Sequence, residues 1–79
     1  MATRRIKLTF PQELIKDPVI FTMAKKFDVM PNIRRAKVTE SVGEVVLELE
    51  GNEKNLENGI AYLKERGVKV EPVQGELTS

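Results

Sequence analysis

The sequence predicts an α+β fold in which two helices cover one face of a four-stranded antiparallel sheet. Apolar and polar residues alternate in four short segments, which is the pattern of strands covered on one side. Two other segments carry apolar residues three and four apart, as a helix with one buried stripe does. Along the 79 residues the order is strand, helix, strand, strand, helix, strand. Because each helix has a single apolar stripe, both helices need the same face of the sheet.

The first strand and the first helix are predicted within residues 4–27. Residues 4–10 alternate, and the buried side of this strand carries Ile6, Leu8 and Phe10. Pro11 ends the strand because proline has no backbone donor. Asp17 is expected to cap the helix, with Pro18 at the first helical position, where a missing N–H costs nothing. The buried stripe of this helix consists of Ile20, Met23, Ala24 and Phe27.

A β-hairpin is predicted next, with strands at residues 32–39 and 44–50 and a turn at residues 40–43. The expected pairs are Val38 with Val45 and Ala36 with Leu47 on the helix side, and Arg35 with Glu48 and Lys37 with Val46 on the open side. Ile33 falls out of phase with Ala36 and Val38. Either the strand bulges between them, or Asn32 and Ile33 face a different neighbour from the rest of the strand.

The second helix is predicted to begin after Asn52, which suits an N-cap, and to end at Gly67. Its buried stripe consists of Leu56, Ile60 and Leu63. Gly59 lies on the same side and costs about 1 kcal/mol of helix propensity relative to alanine. We expect this glycine to allow a close approach of the helix to the sheet.

The last strand is predicted at residues 68–73, where Pro72 fits only an edge or a terminal position. With right-handed crossovers, the third strand lies between the first and the second, and one face of the sheet stays open. This is the ferredoxin-like split βαβ arrangement. We expect a single domain over residues 1–79, ordered over residues 3–73, with a frayed tail at residues 74–79.

Composition argues against several classes of function. With 13 basic and 12 acidic residues, the net charge of +1 gives no bulk attraction to nucleic acid or to anionic lipid. Cysteine and histidine are absent, so we expect no enzyme, no bound metal and no cofactor. The open sheet face carries charges where RNA-recognition modules of this topology carry aromatic rings. Without a signal peptide or an apolar run of about 20 residues, the chain is expected to be cytoplasmic and not inserted in a membrane.

Residues 30–51, followed by a capped helix and a closing strand, resemble the NIL domain, a family named for an Asn-Ile-Leu motif at the start of the second strand. Asn32 and Ile33 match its first two letters, and Arg34 replaces the leucine. The likeness covers residues 3–73. Members are known as the C-terminal domain of the ATPase subunit in methionine ABC importers, where paired NIL domains bind the amino acid and damp transport. Others are joined to ferredoxin-type iron-sulfur modules.

The resemblance implies a non-catalytic sensing domain that binds methionine or a related sulfur amino acid as a homodimer. The candidate ligand-binding residues are Met30, Asn32 and Ile33. An Asn side chain offers an acceptor for the ammonium group and donors for the carboxylate of an amino acid. The resemblance therefore favours the second explanation for Ile33, with this side chain covering the apolar part of a ligand or a partner subunit. The local alternative for Asn32 is a hydrogen bond to its own backbone at the start of the strand.

The second strand is a sheet edge in this topology, and an unpaired edge invites a partner. The candidate interface residues are Arg34, Arg35, Lys37 and Glu48. Because three of them are cations, a dimer is expected to weaken as the salt concentration rises. The alternative function is a protein-protein adaptor that docks, through its open sheet face, on a separate ferredoxin-type iron-sulfur protein or on an ABC transporter protein.

Overall fold

The computed structural model describes residues 1–74, so the expected fraying of residues 75–79 lies outside the described residues. The elements are β1 (Ala2–Phe10), a 3₁₀ turn (Gln12–Leu14), α1 (Val19–Phe27), β2 (Met30–Val38), β3 (Gly43–Gly51), α2 (Glu53–Glu65) and β4 (Lys69–Pro72). The four strands form one antiparallel sheet in the order β2-β3-β1-β4. This confirms the predicted α+β, ferredoxin-like fold and the edge position of Pro72.

A single apolar core lies between the sheet and the two helices. Its fully buried large side chains are Leu8, Met23, Leu47, Leu49, Leu56 and Leu63. They come from the two central strands and from both helices, and each contributes about 1.5–3 kcal/mol by leaving water. The rings of Phe27 and Tyr62, with centroids 5.5 Å apart, extend the contact between α1 and α2. The helices therefore cover one face of the sheet, and charged side chains occupy the other.

The hairpin pairs in a different register from the one expected. The observed pairs are Val38 with Gly43, Lys37 with Glu44, Ala36 with Val45 and Arg35 with Val46. The turn is tighter than predicted because the Thr39 hydroxyl accepts from the amides of Ser41 and Val42, at 3.3 and 3.0 Å. The Thr39 amide also donates to the carbonyl of Val42 at 2.7 Å. The pairs predicted from the sequence are wrong by two residues, and a shift of two leaves every side chain on its predicted face.

A β-bulge between Ile33 and Arg35 explains the phase of Ile33. Ile33 lies opposite Leu47, and Arg34 is the extra residue of the bulge. Because Leu47 is buried against the helices, Ile33 lies on the helix side of the sheet, as Ala36 does. The expectation that Asn32 and Ile33 face a different neighbour from the rest of β2 is therefore wrong, and the bulge is the explanation.

The two helices begin differently. The Asn52 side chain caps α2 as predicted, accepting from the amides of Lys54 and Asn55 at 2.8 and 3.4 Å. The predicted Asp17 cap is wrong, because α1 begins at Val19 and has no side-chain cap. The Asp17 carbonyl instead accepts from the Val19 amide at 2.8 Å, which closes a tight turn before the helix.

Gly59 allows a close approach, but the neighbour is α1 and not the sheet. A Cβ atom at position 59 would lie 2.9 Å from the sulfur of Met23, which is closer than a carbon can normally approach. The prediction of close packing is confirmed, and the predicted partner is wrong. Gly59 therefore lowers the helix propensity of α2 but lets the two helices pack closely against each other.

Candidate ligand site and interface on the edge strand

The edge strand β2 is exposed along nearly its whole length, on both faces. Within residues 1–74, no strand pairs with its outer edge. Its three large apolar side chains are mostly exposed: Met30 by 66 %, Ile33 by 55 % and Val38 by 61 %. α1 cannot cover the helix side, because nine helical residues span about 13 Å and nine strand residues about 30 Å. β2 therefore combines unpaired backbone groups with uncovered apolar area.

A depression of about 250 Å³ lies on the open side of β2. It is lined by Met30, Pro31, Asn32, Glu48 and Glu50. Met30 lies opposite Glu50, and Asn32 opposite Glu48, so an amide and two carboxylates surround it. Two predicted ligand residues, Met30 and Asn32, are thus brought together. Ile33, the third, lies on the other face of the sheet.

Glu48 is the centre of the charge network on the open face. One of its carboxylate oxygens accepts from Arg5 Nε at 2.6 Å, and the other lies 4.0 Å from Arg34 Nη1. Its side chain is only 20 % exposed, less than either arginine. Arg34, which stands in place of the leucine of the family motif, therefore turns toward an acidic residue of the neighbouring strand. Of the four predicted interface residues, Glu48 lies one strand inside the edge.

The other two predicted interface residues lie at the opposite end of β2. Arg35 is opposite Val46, and Lys37 is opposite Glu44. Both side chains are exposed. The open side of β2 therefore has a neutral half, beside Glu48 and Glu50, and a basic half nearer the turn. This division was not apparent from the sequence, because it depends on the two-residue register and on the bulge.

A second cavity, of about 200 Å³, lies on the helix side between the 3₁₀ turn, the start of α1 and the hairpin. Its lining is almost entirely apolar and consists of Phe10, Ile15, Asp17, Pro18, Val19, Ile20, Val38, Gly43 and Val45. Gly43 leaves room for Ile15, whose Cγ1 would lie 3.1 Å from a Cβ atom at position 43. Sequence analysis missed this cavity because its walls come from segments far apart in the chain. Ile15, which with Leu14 forms an apolar pair between Glu13 and Lys16, was the available signal.

The described residues gather no group of three or more acidic side chains that would hold a metal ion. Neither helix within residues 1–74 has the length and the apolar composition needed to cross a membrane. The side chains along β2 and beside it are the Asn32 amide, which has both donors and an acceptor, acidic and basic groups, and exposed apolar groups.

Comparison with known proteins identifies a protein family that matches most of the chain. The model of the NIL domain matches residues 4–72. Methionine import ATP-binding protein MetN 1 of Listeria innocua is 33% identical over 73 residues, which are 87% of this chain and 22% of that protein. Methionine import ATP-binding protein MetN of Coxiella burnetii is 31% identical over 70 residues, which are 84% of this chain and 20% of that protein. The chain thus spans about a fifth of the length of these relatives.

Solved structures agree with this result. The C-terminal domain of an ABC transporter ATP-binding protein from Enterococcus faecalis superposes with a TM-score of 0.78 and 25% identity. The match covers 92% of this chain and 86% of that one. The de novo designed protein Foldit4, with a TM-score of 0.56 and 14% identity, shares the fold alone. Because the family model and the sequence relatives cover most of the chain, this chain belongs to the NIL-domain family.

Proposed function

We propose that this chain is a non-catalytic regulatory domain that binds methionine or a related sulfur amino acid and acts as a homodimer. Membership of the NIL family supports a regulatory role, and relatives are named as methionine import proteins. The observation that carries the proposal is the depression beside Asn32 on an unpaired sheet edge. A ligand there contacts polar groups of this chain and remains open to a second subunit.

The groups around the depression suit the two charged ends of an amino acid. The Glu50 carboxylate attracts an ammonium group, and the Asn32 amide offers both an acceptor and donors, whereas the Glu48 carboxylate already accepts from Arg5. Met30 adds a flexible thioether, which adapts to an apolar side chain of the ligand. The volume of about 250 Å³ lies below the usual range of ligand pockets, so the depression by itself has room only for a ligand smaller than a drug-sized molecule.

The surface that the single chain leaves uncovered supports the proposed homodimer. Ile33 and Val38 expose more than half of their surface on the helix side of β2. The backbone groups at the outer edge of β2 have no strand partner among the described residues. A second copy that pairs with β2 satisfies the backbone, covers the apolar side chains and closes the open side of the depression.

Titration calorimetry tests the proposal. Methionine is expected to bind the natural chain at least about tenfold more tightly than the Asn32→Ala variant, because one charge-assisted hydrogen bond contributes about 1.5–3 kcal/mol. The matched control is Asn58→Ala, which removes the same side chain from the exposed surface of α2 and leaves binding unchanged. An equal loss in both variants refutes the role of Asn32.

The alternative is an adaptor that docks on a transporter ATPase or on an iron-sulfur protein. Its support is that the relatives carry the matching region within an ATP-binding protein. The same titration separates the two proposals. If no amino acid gives heat at millimolar concentration, the sensor is refuted and the adaptor becomes the better account.

A further inference from the structure

We propose that Arg34 binds the carboxylate of the amino acid in the depression beside Asn32, while Glu50 binds its ammonium group. The ligand then lies along β2 in a single direction. This inference rests on the sensing function proposed above and names the residues that orient the ligand. The family motif has a leucine at the position of Arg34, so the contact belongs to this chain and selects ligands with a free carboxylate.

The β-bulge sets the position of Arg34. In a regular strand, neighbouring side chains point to opposite faces of the sheet, and the extra residue of a bulge interrupts this alternation. Arg35 takes the position opposite Val46, so Arg34 is left beside Glu48. Glu48 lines the depression. The guanidinium of Arg34 therefore lies at the edge of the depression, on the open side of the sheet.

The end of the depression near Arg34 carries an excess of positive charge. One oxygen of Glu48 accepts a hydrogen bond from Arg5 at 2.6 Å, so the charge of this carboxylate is already balanced. The Nη1 atom of Arg34 lies 4.0 Å from the other oxygen, which is beyond hydrogen-bond distance. The Arg34 side chain is 44 % exposed. A ligand carboxylate therefore reaches the guanidinium from the solvent side, and Glu48 keeps its hydrogen bond to Arg5.

The other end of the depression is negative. Among residues 1–74, no cation lies within 4.0 Å of the Glu50 carboxylate. The residues opposite Glu50 on the two neighbouring strands, Thr3 and Met30, are uncharged. Glu48 and Glu50 are two residues apart in β3, so the two ends are separated by about 7 Å. With a hydrogen bond of about 2.8 Å at each end, an amino acid bridges this distance.

Asn32 lies between the two ends, opposite Glu48. Its amide donates to a carboxylate that Arg34 holds, and its oxygen accepts from an ammonium group beside Glu50. The planar guanidinium binds a carboxylate through two parallel hydrogen bonds. A ligand in the reverse direction brings its carboxylate to Glu50 and its ammonium group to Arg34, and both contacts are then between like charges. The charges therefore favour one direction.

Titration calorimetry with methionine and methioninamide tests the role of Arg34. At about pH 6 both ligands carry an ammonium group, and they differ in the carboxylate. The natural chain is expected to bind methionine at least about tenfold more tightly than methioninamide. Arg34→Leu, which introduces the residue of the family motif, is expected to lose this preference. Arg34→Lys keeps the charge without the planar fork and is expected to keep part of the preference.

Arg66→Leu is the matched control. Arg66 lies at the end of α2, away from the depression, and its side chain is 43 % exposed. Like Arg34, it lies near one carboxylate, at 3.6 Å from Asp17. The variant removes the same charge from the chain and is expected to keep the full preference for methionine over methioninamide. An equal loss in Arg66→Leu and Arg34→Leu overturns the specific role of Arg34.

N-acetylmethionine tests the other end of the ligand, because it keeps the carboxylate and lacks the ammonium group. The natural chain is expected to prefer methionine to N-acetylmethionine at least about tenfold. Glu50→Gln is expected to lose this preference and to keep the preference for methionine over methioninamide. A Glu50→Gln variant that still rejects N-acetylmethionine as strongly as the natural chain does overturns the assigned direction.

The same titrations separate this inference from the sensing function. If the natural chain binds methionine and Arg34→Leu still discriminates against methioninamide to the same extent, the inference is overturned and the sensing function stands. If the natural chain does not bind methionine at millimolar concentration, the sensing function is refuted, and the inference falls with it. Loss of each preference in its own variant alone supports both.

Discussion

Replacing Leu47 tests the packing of the central strand β3. Leu47 and its neighbour Glu48 point to opposite faces of the sheet, so substitutions at these two positions compare the buried face with the open face. Leu47 is completely buried, between Ile6 of β1 and Ile33 of β2. Leu47→Ala removes three carbons, at about 0.8 kcal/mol each, so the loss of burial alone costs about 2.4 kcal/mol. The cavity left behind adds to this, and we expect a total of about 3–4 kcal/mol.

Glu48→Gln is the matched control, one residue away and nearly the same in size as the natural side chain. It removes a charge that lies 2.6 Å from Arg5 and 4.0 Å from Arg34. The amide oxygen of glutamine still accepts a hydrogen bond from Arg5, and the two arginines are partly exposed. We therefore expect a loss of about 1 kcal/mol or less.

Urea denaturation of both variants, at concentrations low enough to keep the chain monomeric, gives the two free energies of unfolding. The slope of the free energy against urea is expected to stay constant, so that the midpoints alone report stability. A Glu48 variant that unfolds more easily than the Leu47 variant refutes the assignment of faces along β3. A loss below about 1 kcal/mol for Leu47→Ala refutes the description of the core.

Three further predictions concern a cap, a glycine and the dimer. Asn52→Ala is expected to cost about 0.5–2 kcal/mol in urea denaturation, because the amides of Lys54 and Asn55 lose their acceptor; an unchanged midpoint contradicts this role. Gly59→Ala gains about 1 kcal/mol of helix propensity but forces Met23 to move, and we expect a net loss of about 1 kcal/mol; a stabilised variant refutes the close contact. Raising salt from about 0.1 to about 1 M shortens the Debye length from about 10 to about 3 Å, and sedimentation should show a weaker dimer; a dimer that tightens contradicts the charge pairing.

The faces of the strands could be predicted from the sequence, but the register of the hairpin could not. Apolar residues recur at every second position of β3, so they determine which side chains point to the helices. A shift of two residues preserves that pattern, and only the turn distinguishes the two registers. Thr39 favours the observed register, because its hydroxyl and amide close the turn earlier in the chain than expected.

The candidate site was partly predictable for a related reason. Asn32 and Met30 were identified from the resemblance to the family, and they share the open side because they lie two residues apart in a strand. Ile33 was expected to face a different neighbour, because the alternation of side chains along a strand does not by itself reveal a bulge. The apolar cavity beside Ile15 and Val38 depends on how the 3₁₀ turn packs on the hairpin, and no local pattern encodes that contact.

Sedimentation velocity with and without methionine tests the central claim most directly, because it measures dimerisation and ligand binding together. If the ligand binds at an edge completed by a second subunit, methionine and dimerisation must favour each other by the same factor. We therefore predict that saturating methionine shifts the natural chain from a mixture of monomer and dimer to dimer, and that the Asn32→Ala variant does not respond. Identical distributions with and without methionine, across the whole concentration range, contradict a sensing homodimer.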